Sequence, residues 1–279
     1  MDVSDLDRFL ITGAGGMVGA AIPFGLKYSR QDLDITDVEA VAQMCSSAQP
    51  AGILHLAALD IRQSHNDPLA AYAINVLGTY NMAHAARTWG IPFVFISSGA
   101  VFSGVQTESF NERSVPSPLN IYGQTKYVAE LLVENMMDRS LIVRTGWLFG
   151  GHSAHHRKFV DVTIHRAIRS EPVLLNDGQF GSPTYIEDFV GALKSLMLAD
   201  AQGIVHIVNT GRALASDVAR EIIDELSSSS RLEISPVGEA AGVGPQRSPS
   251  EVLTSLSVQL RPWQEAVRDY VIAAREASD

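Results

Sequence analysis

Residues 8–19 read RFLITGAGGMVG: an apolar run, Phe9 to Thr12, breaks directly into glycines at positions 13, 15, 16 and 19. An uninterrupted apolar run of this length describes a strand covered on both faces. Gly13, Gly16 and Gly19 have the spacing in which one glycine permits a sharp turn, another admits a pyrophosphate to the backbone, and the third allows close helix-strand contact. Phosphate oxygens would then meet the amides that open the next helix. Glycines also mark ordinary turns, so the place of the triplet directly after the first strand is what gives it meaning.

Outward from this turn, strands and helices alternate. In LDITDVEAVAQMC, Asp37 is placed to cap a helix bearing Val38, Val41 and Met44 on one face. GILHLAA, Gly52 to Ala58, reads as a buried strand, and PLAAYAINVLGTYNMAHAARTWG from Pro68 as a crossover helix stopped at Gly90. IPFVFISSG supplies a strand, Ile121 to Met137 a long helix, and LIVRTGWLFG another strand. This pattern predicts an α/β fold with a doubly wound parallel sheet. Beyond Gly150 it loosens into a helix near Phe159–Arg169, a helix ending at Leu198, the strand IVHIVN, and a serine loop at Ser227–Ser230. The expected organisation is one unit over 1–279, with the dinucleotide-binding core over 1–150. A small C-terminal substrate-binding lobe with some returning core elements then covers 151–279.

The 279 residues are enough for a substantial core, and 46% apolar with 19% charged residues is a globular composition. A formal charge of -10 argues against nucleic acid or an anionic membrane as partner. The opening MDVSDLDRFLITG is acidic where a secretory signal carries basic residues, and no stretch approaches the roughly 20 apolar residues of a membrane span. The single cysteine, Cys45, suits a reducing cytoplasm and a buried position. His152, His155 and His156 lack matching carboxylates or thiols, so no metal site is expected.

Two readings compete for the adenosine end of the dinucleotide. Arg30 lies where a second strand would end, and a guanidinium there favours a 2′-phosphate, hence NADP over NAD. Asp34 and Ile35 are the alternative contacts. Tyr122 and Lys126, four apart in the long helix, project from one face. An ammonium beside a phenol favours the phenolate, which suits a tyrosine that exchanges a proton with a substrate oxygen. Ser97 and Ser98 end the preceding strand at the sheet's C-terminal edge, where such folds bind ligands. A hydroxyl there is placed to polarise a carbonyl.

The chain resembles the extended short-chain dehydrogenases, a Rossmann-type family, and within them the dTDP-4-dehydrorhamnose reductases. The matching text is ITGAGGMVG, DLDITDVEAV, HLAA, AINVLGTYNMAHAA, FVFISS, PLNIYGQTKYVAE, LIVRTGWLFG, NDGQFGSPTYIEDF, PQRSPSEVLTS and LRPWQEAV. The resemblance implies reduction of a 4-keto nucleotide sugar with hydride from NADPH or NADH, in a cytoplasmic enzyme; between a monomer and a homodimer the sequence does not choose. It makes Tyr122 the acid, Lys126 its partner and ribose ligand, and Ser98 the polarising hydroxyl. Met17 and Val18, with Ala57 and Ala58 of HLAA, would join the glycines at the cofactor. Trp147 would line the sugar pocket and Arg247 would meet the diphosphate.

The chain also departs from the family. Where the family has Ser-Thr-Asp-Tyr-Val-Phe, Ser97-Ser98-Gly99-Ala100-Val101-Phe102 stands here, without the acid and the phenol near the sugar; Gly146 replaces a serine after Arg-Thr. The substrate contact expected at Gly99 is therefore a backbone one. An epimerase or dehydratase is the rival enzyme, although Gly99 and Ala100 offer a dehydratase no carboxylate. A cofactor-binding regulatory subunit, as in methionine adenosyltransferase, is the rival outside catalysis.

Overall fold

The computed structural model describes residues 2–105, 107–151, 158–235 and 245–276. In chain order its strands are β1 (Phe9–Thr12), β2 (Leu26–Tyr28), β3 (Gly52–His55), β4 (Phe93–Ile96), β5 (Ser140–Arg144), β6 (Leu148–Phe149), β7 (Val173–Asn176), β8 (Thr184–Tyr185), β9 (Gly203–His206) and β10 (Leu232–Ser235). Its helices are α1 (Val3–Leu6), α2 (Met17–Ala21), α3 (Val38–Ala48), α4 (Ile61–Asn66), α5 (Pro68–Tyr72), α6 (Thr79–Trp89), α7 (Ile121–Met136), α8 (Phe159–Ile168), α9 (Ile186–Leu198), α10 (Ala215–Glu225) and α11 (Trp263–Glu276). A π-helical stretch, Ala73–Gly78, joins α5 to α6, and a 3-10 turn, Gly99–Val101, follows β4.

The apolar runs at 9–12, 52–55 and 93–96 are buried throughout, as strands covered on both faces must be. With β2, β5 and β9 they form one six-stranded parallel sheet in the order β2-β1-β3-β4-β5-β9. One face packs on a cluster that includes Val41, Met82, Ala86, Ala129 and Val133 from α3, α6 and α7. The opposite face meets Phe189 and Leu193 of α9 and Val267 of α11. The sheet is thus doubly wound, as the alternating pattern predicts. Strand order reverses between β1 and β3, which opens a crevice beyond their C-terminal ends.

Local signals explain the element ends. Asp37 caps α3 by accepting from the Glu39 and Ala40 amides, and Gly90 ends α6 in the left-handed region at φ 64°. Cys45 is buried on α3. The expected strand 52–58 ends early, at His55, because Thr12 Oγ1 accepts from the Leu56 and Ala57 amides and draws the chain out of the ladder. The expected helix from Pro68 runs to Trp89 only through the π-helical stretch. There Asn75 turns inward, with Oδ1 accepting from the Leu59 amide and Nδ2 donating to its carbonyl.

After β5 the chain builds two small parallel pairs, β6 with β8 and β7 with β10, before and after β9 joins the sheet edge beside β5. No helix among the described residues is long and apolar enough to cross a membrane.

Candidate active site

The site begins at the N-terminus of α7. Asn120 caps it, accepting from the Gly123 amide at 2.9 Å, while its own amide donates to the Gln246 carbonyl at 3.0 Å. A Cβ at position 123 would overlap the Ala100 carbonyl, so a glycine is what lets α7 lie directly on the 3-10 turn after β4. That approach brings Tyr122 to Ser98, whose hydroxyl interacts with the phenol and also accepts from the Ala100 amide at 3.2 Å.

Burial pushes the Tyr122 phenol up to about 12; the interaction with Ser98 pulls it down, Asp60 and Glu251 push it further up, and Arg247 pulls it down. The expectation of a phenol lowered by its lysine neighbour is therefore not met in the free protein. Burial outweighs the nearby charges, and the phenol stays protonated, as a proton donor must. Lys126 is 3% exposed and lies with Nζ 4.0 Å from the centre of the Phe95 ring. Its burial brings the amine down to about 7, against an upward pull from Glu130 one turn on.

Glu130 is itself committed. Both of its oxygens accept from Arg144, from Nε at 2.9 Å and Nη2 at 2.6 Å, in a fully buried fork between α7 and β5. A second buried network holds the crevice floor. Thr79 Oγ1 donates to the Asn75 carbonyl, so it accepts from Nε2 of His55; Nδ1 of His55 then accepts from Thr12 Oγ1 at 2.7 Å. Burial first, and the Lys126 charge second, lower His55 to about 3. Asn75 also donates to Thr125 Oγ1 at 3.0 Å, which ties this floor to α7.

The glycine turn closes over the floor. Gly13 has φ +71°, and a Cβ there would sit 2.7 Å from the Ala57 nitrogen; one at Gly19 would sit 2.5 Å from the Gly13 carbonyl. Gly16 caps α2 without a side-chain hydrogen bond, and a Cβ at Gly15 would meet nothing within 4 Å. Met17 and Val18 are half-buried on α2, Ala57 is half-buried opposite the turn and Ala58 exposed beside it. Ser97 Oγ and Thr145 Oγ1, at the ends of the adjacent β4 and β5, are buried without a partner. A cradle without side chains on one side and orphaned hydroxyls on the other fit a dinucleotide.

Arg30 and Asp34 lie together on the surface beyond β2, where Asp34 accepts from the Thr36 amide and hydroxyl and is lowered by those bonds, with a smaller contribution from Arg30. Ile35 is buried against Gly78, its carbonyl held by Asn81 at 2.9 Å, so only the backbone beside it faces outward.

Trp147 and Arg247 line one cavity of about 1120 Å³ between α8, β7 and the 245–249 segment. Trp147 stands at φ +38°, its ring laid on the backbone of Gly181 where a Cβ would collide. The cavity wall is mainly apolar, with Lys158, Arg166 and Arg247 as its cations. That chemistry suits a base or sugar ring carrying phosphates. Gly146, next to Trp147, would admit a side chain: the nearest neighbour to a Cβ there is the Ser182 carbonyl at 3.6 Å, an ordinary contact.

Sequence reading overlooked three parts of this site. The Thr12-His55-Thr79 network has no motif spacing, and only apolar neighbours around a lone histidine could have signalled it. Glu130 was one turn from Lys126 and readable as its neighbour. Glu251 stands four residues after Arg247, but in an irregular segment that spacing carries no meaning, and only the fold shows the residue to be buried. His152, His155 and His156 lie outside the described residues.

A buried tyrosine, a lysine and a hydroxyl at the edge of a doubly wound sheet, beside a switch-point glycine turn, are the features of the extended short-chain dehydrogenases. Within that class the chain belongs to the RmlD substrate binding domain family, whose model matches residues 7–275. It is similar to the dTDP-4-keto-6-deoxy-D-glucose reductase of Streptomyces niveus, 33% identical over 77% of each chain. The dTDP-4-dehydrorhamnose reductase of Mycolicibacterium smegmatis is 29% identical over 95% of this chain and 85% of its own. The crystal structure of dTDP-4-dehydrorhamnose reductase from Bacillus anthracis in complex with NADP superposes with a TM-score of 0.88, at 28% identity, covering 96% of this chain and 99% of that one.

Proposed function

We propose that the chain reduces the 4-keto group of a nucleotide-linked deoxysugar, using NADPH in preference to NADH. The observation that carries the reading is the meeting of Tyr122, Ser98 and the cation-bearing cavity of Trp147 and Arg247. The glycine turn, Met17, Val18, Ala57 and Ala58 would hold the dinucleotide, with Arg30 or Asp34 at its adenosine end. When bound, the cofactor supplies a hydride for the keto carbon.

Ser98 donates to the carbonyl oxygen as charge gathers there. The raised Tyr122 phenol gives that oxygen its proton. Lys126 holds the ribose hydroxyls and returns the phenolate toward its neutral form. Arg247 and its neighbouring cations hold the diphosphate. The intact proton donor supports turnover over the regulatory-subunit reading, and the family relatives favour reduction over epimerisation.

The proposal includes one functional unit, with residues 1–150 holding the cofactor and most of 151–279 the substrate. It also includes a cytoplasmic location, a homodimer as the working form, and no role for nucleic acid, membrane or metal. The test is NADPH and NADH consumption across 4-keto dTDP-, GDP- and UDP-sugars. Consumption with at least one is expected; tight NADPH binding with no consumption by any would overturn the reading in favour of a binding subunit.

A further inference from the structure

Gly99 follows Ser98 directly, and the space its missing side chain leaves faces the C-terminal segment. A Cβ at 99 would lie 3.2 Å from the Glu251 carbonyl oxygen and 3.4 Å from the Leu253 side chain. That segment is pinned on both sides of Glu251. Ser250 Oγ donates to the Glu108 carbonyl at 2.6 Å, the Glu251 amide to the Phe180 carbonyl at 3.0 Å, and the Leu253 amide to Ser182 Oγ at 2.9 Å. Glu251 is 8% exposed, and no cation among the described residues lies within salt-bridge distance of it.

A carboxylate removed from water without a paired cation is costly, and folds retain one where it has a ligand to meet. Glu251 stands between the two halves of the site: its charge acts on the Tyr122 phenol, and Arg247 of the cavity acts on Glu251. The Gln179 amide lies beside it without closing a well-formed hydrogen bond.

We propose that Glu251 is the substrate-positioning carboxylate of this site, carried by the C-terminal segment whose backbone packs on Gly99 beside Ser98, and that it accepts a hydrogen bond from a hydroxyl of the sugar ring. The assignment deepens the reductase reading and rests on it. Burial raises this carboxyl to about 7, with Arg247 holding it down, so a sugar hydroxyl would meet a group that is partly ionised at neutral pH.

The experiment compares the native protein with Glu251→Gln. Steady-state rates are measured with dTDP-4-dehydrorhamnose and NADPH, and calorimetric titrations with dTDP and with dTDP-rhamnose. Glu251→Gln is expected to lower kcat/KM and dTDP-rhamnose affinity by roughly tenfold or more, the loss of one hydrogen bond to a charged group. Affinity for dTDP alone and the melting temperature stay unchanged.

The proposal is overturned if Glu251→Gln keeps kcat/KM and dTDP-rhamnose affinity within twofold. It is equally overturned if dTDP affinity falls in parallel. Should the native protein bind dTDP-rhamnose yet turn over no keto sugar, the reductase reading fails by itself, and the two titrations still decide Glu251.

Discussion

Replacing Glu130 by glutamine removes one charge from the best-enclosed ion pair among the described residues while keeping its shape. Arg144 and Glu130 are 2% and 1% exposed at their side chains, joined by two hydrogen bonds, and Arg144 Nη1 is already without a partner. The variant would strand a guanidinium in the core, and the new amide would turn its own donor toward Nη2. Breaking such a pair from one side costs about 3–5 kcal/mol. Glutamine keeps one acceptor, so the lower end, about 3 kcal/mol, is expected. In a chain of this size each kcal/mol moves the midpoint by about 2–4 °C, hence a fall of roughly 6–12 °C.

Urea unfolding followed by circular dichroism at pH 7, with a thermal melt beside it, measures this. The informative partner is Glu130→Leu with Arg144→Met, which removes both charges and leaves apolar side chains against Phe102, over whose ring Arg144 now lies at 4.9 Å. Because neither charge remains buried alone, the double variant is expected to be more stable than the single one. A loss below about 1 kcal/mol in Glu130→Gln, or a double variant weaker than the single, would refute the reasoning.

Tyr122→Phe should lower kcat by about 10²–10⁴-fold with NADPH affinity unchanged, read by stopped-flow and fluorescence titration; full turnover would remove the tyrosine as donor. Lys126 is held near 7 in the fold and returns to its ordinary value on unfolding, so between about pH 7 and 10.5 the unfolded chain binds the extra proton and stability rises with pH. Lys126→Met should accordingly stabilise the free protein at pH 6.5 by on the order of 4 kcal/mol, with the gain shrinking by pH 9.5 in urea melts. Gly19→Ala would drive a methyl to 2.5 Å from the Gly13 carbonyl and 2.7 Å from the Ala14 Cα, both backbone. It should cost about 1–3 kcal/mol and weaken NADPH binding. Gly15→Ala, with nothing within 4 Å, should leave the melting temperature alone.

The sheet was legible because its strands are apolar without interruption, and the caps at Asp37 and Gly90 stand where their chemistry requires. Tyr122 and Lys126 were legible as a helical spacing. The lobe beyond Gly150 was less so: β7 and β10 are short and half-exposed, and their pairing joins residues nearly 60 positions apart. No local pattern marks that. Pairings such as Gly99 with Glu251 are further removed still, since a glycine's meaning there depends on which segment comes to lie against it. The protonation states of Tyr122 and Lys126 follow from enclosure more than from each other, and enclosure is a property of the fold.

The π-helical stretch at Ala73–Gly78 has a consequence for how this chain tolerates change in length. A π turn holds one residue more than the α turn it replaces, and each residue rotates a helix by about 100°. Deleting any one residue there would restore a regular helix, yet it would turn Asn75 and everything before it away from α6. Leu59 would lose both of its hydrogen bonds to Asn75, and Thr125 one. Surface loops in general tolerate a change of length, whereas this helix cannot surrender a single position without unfastening the crevice floor from α7.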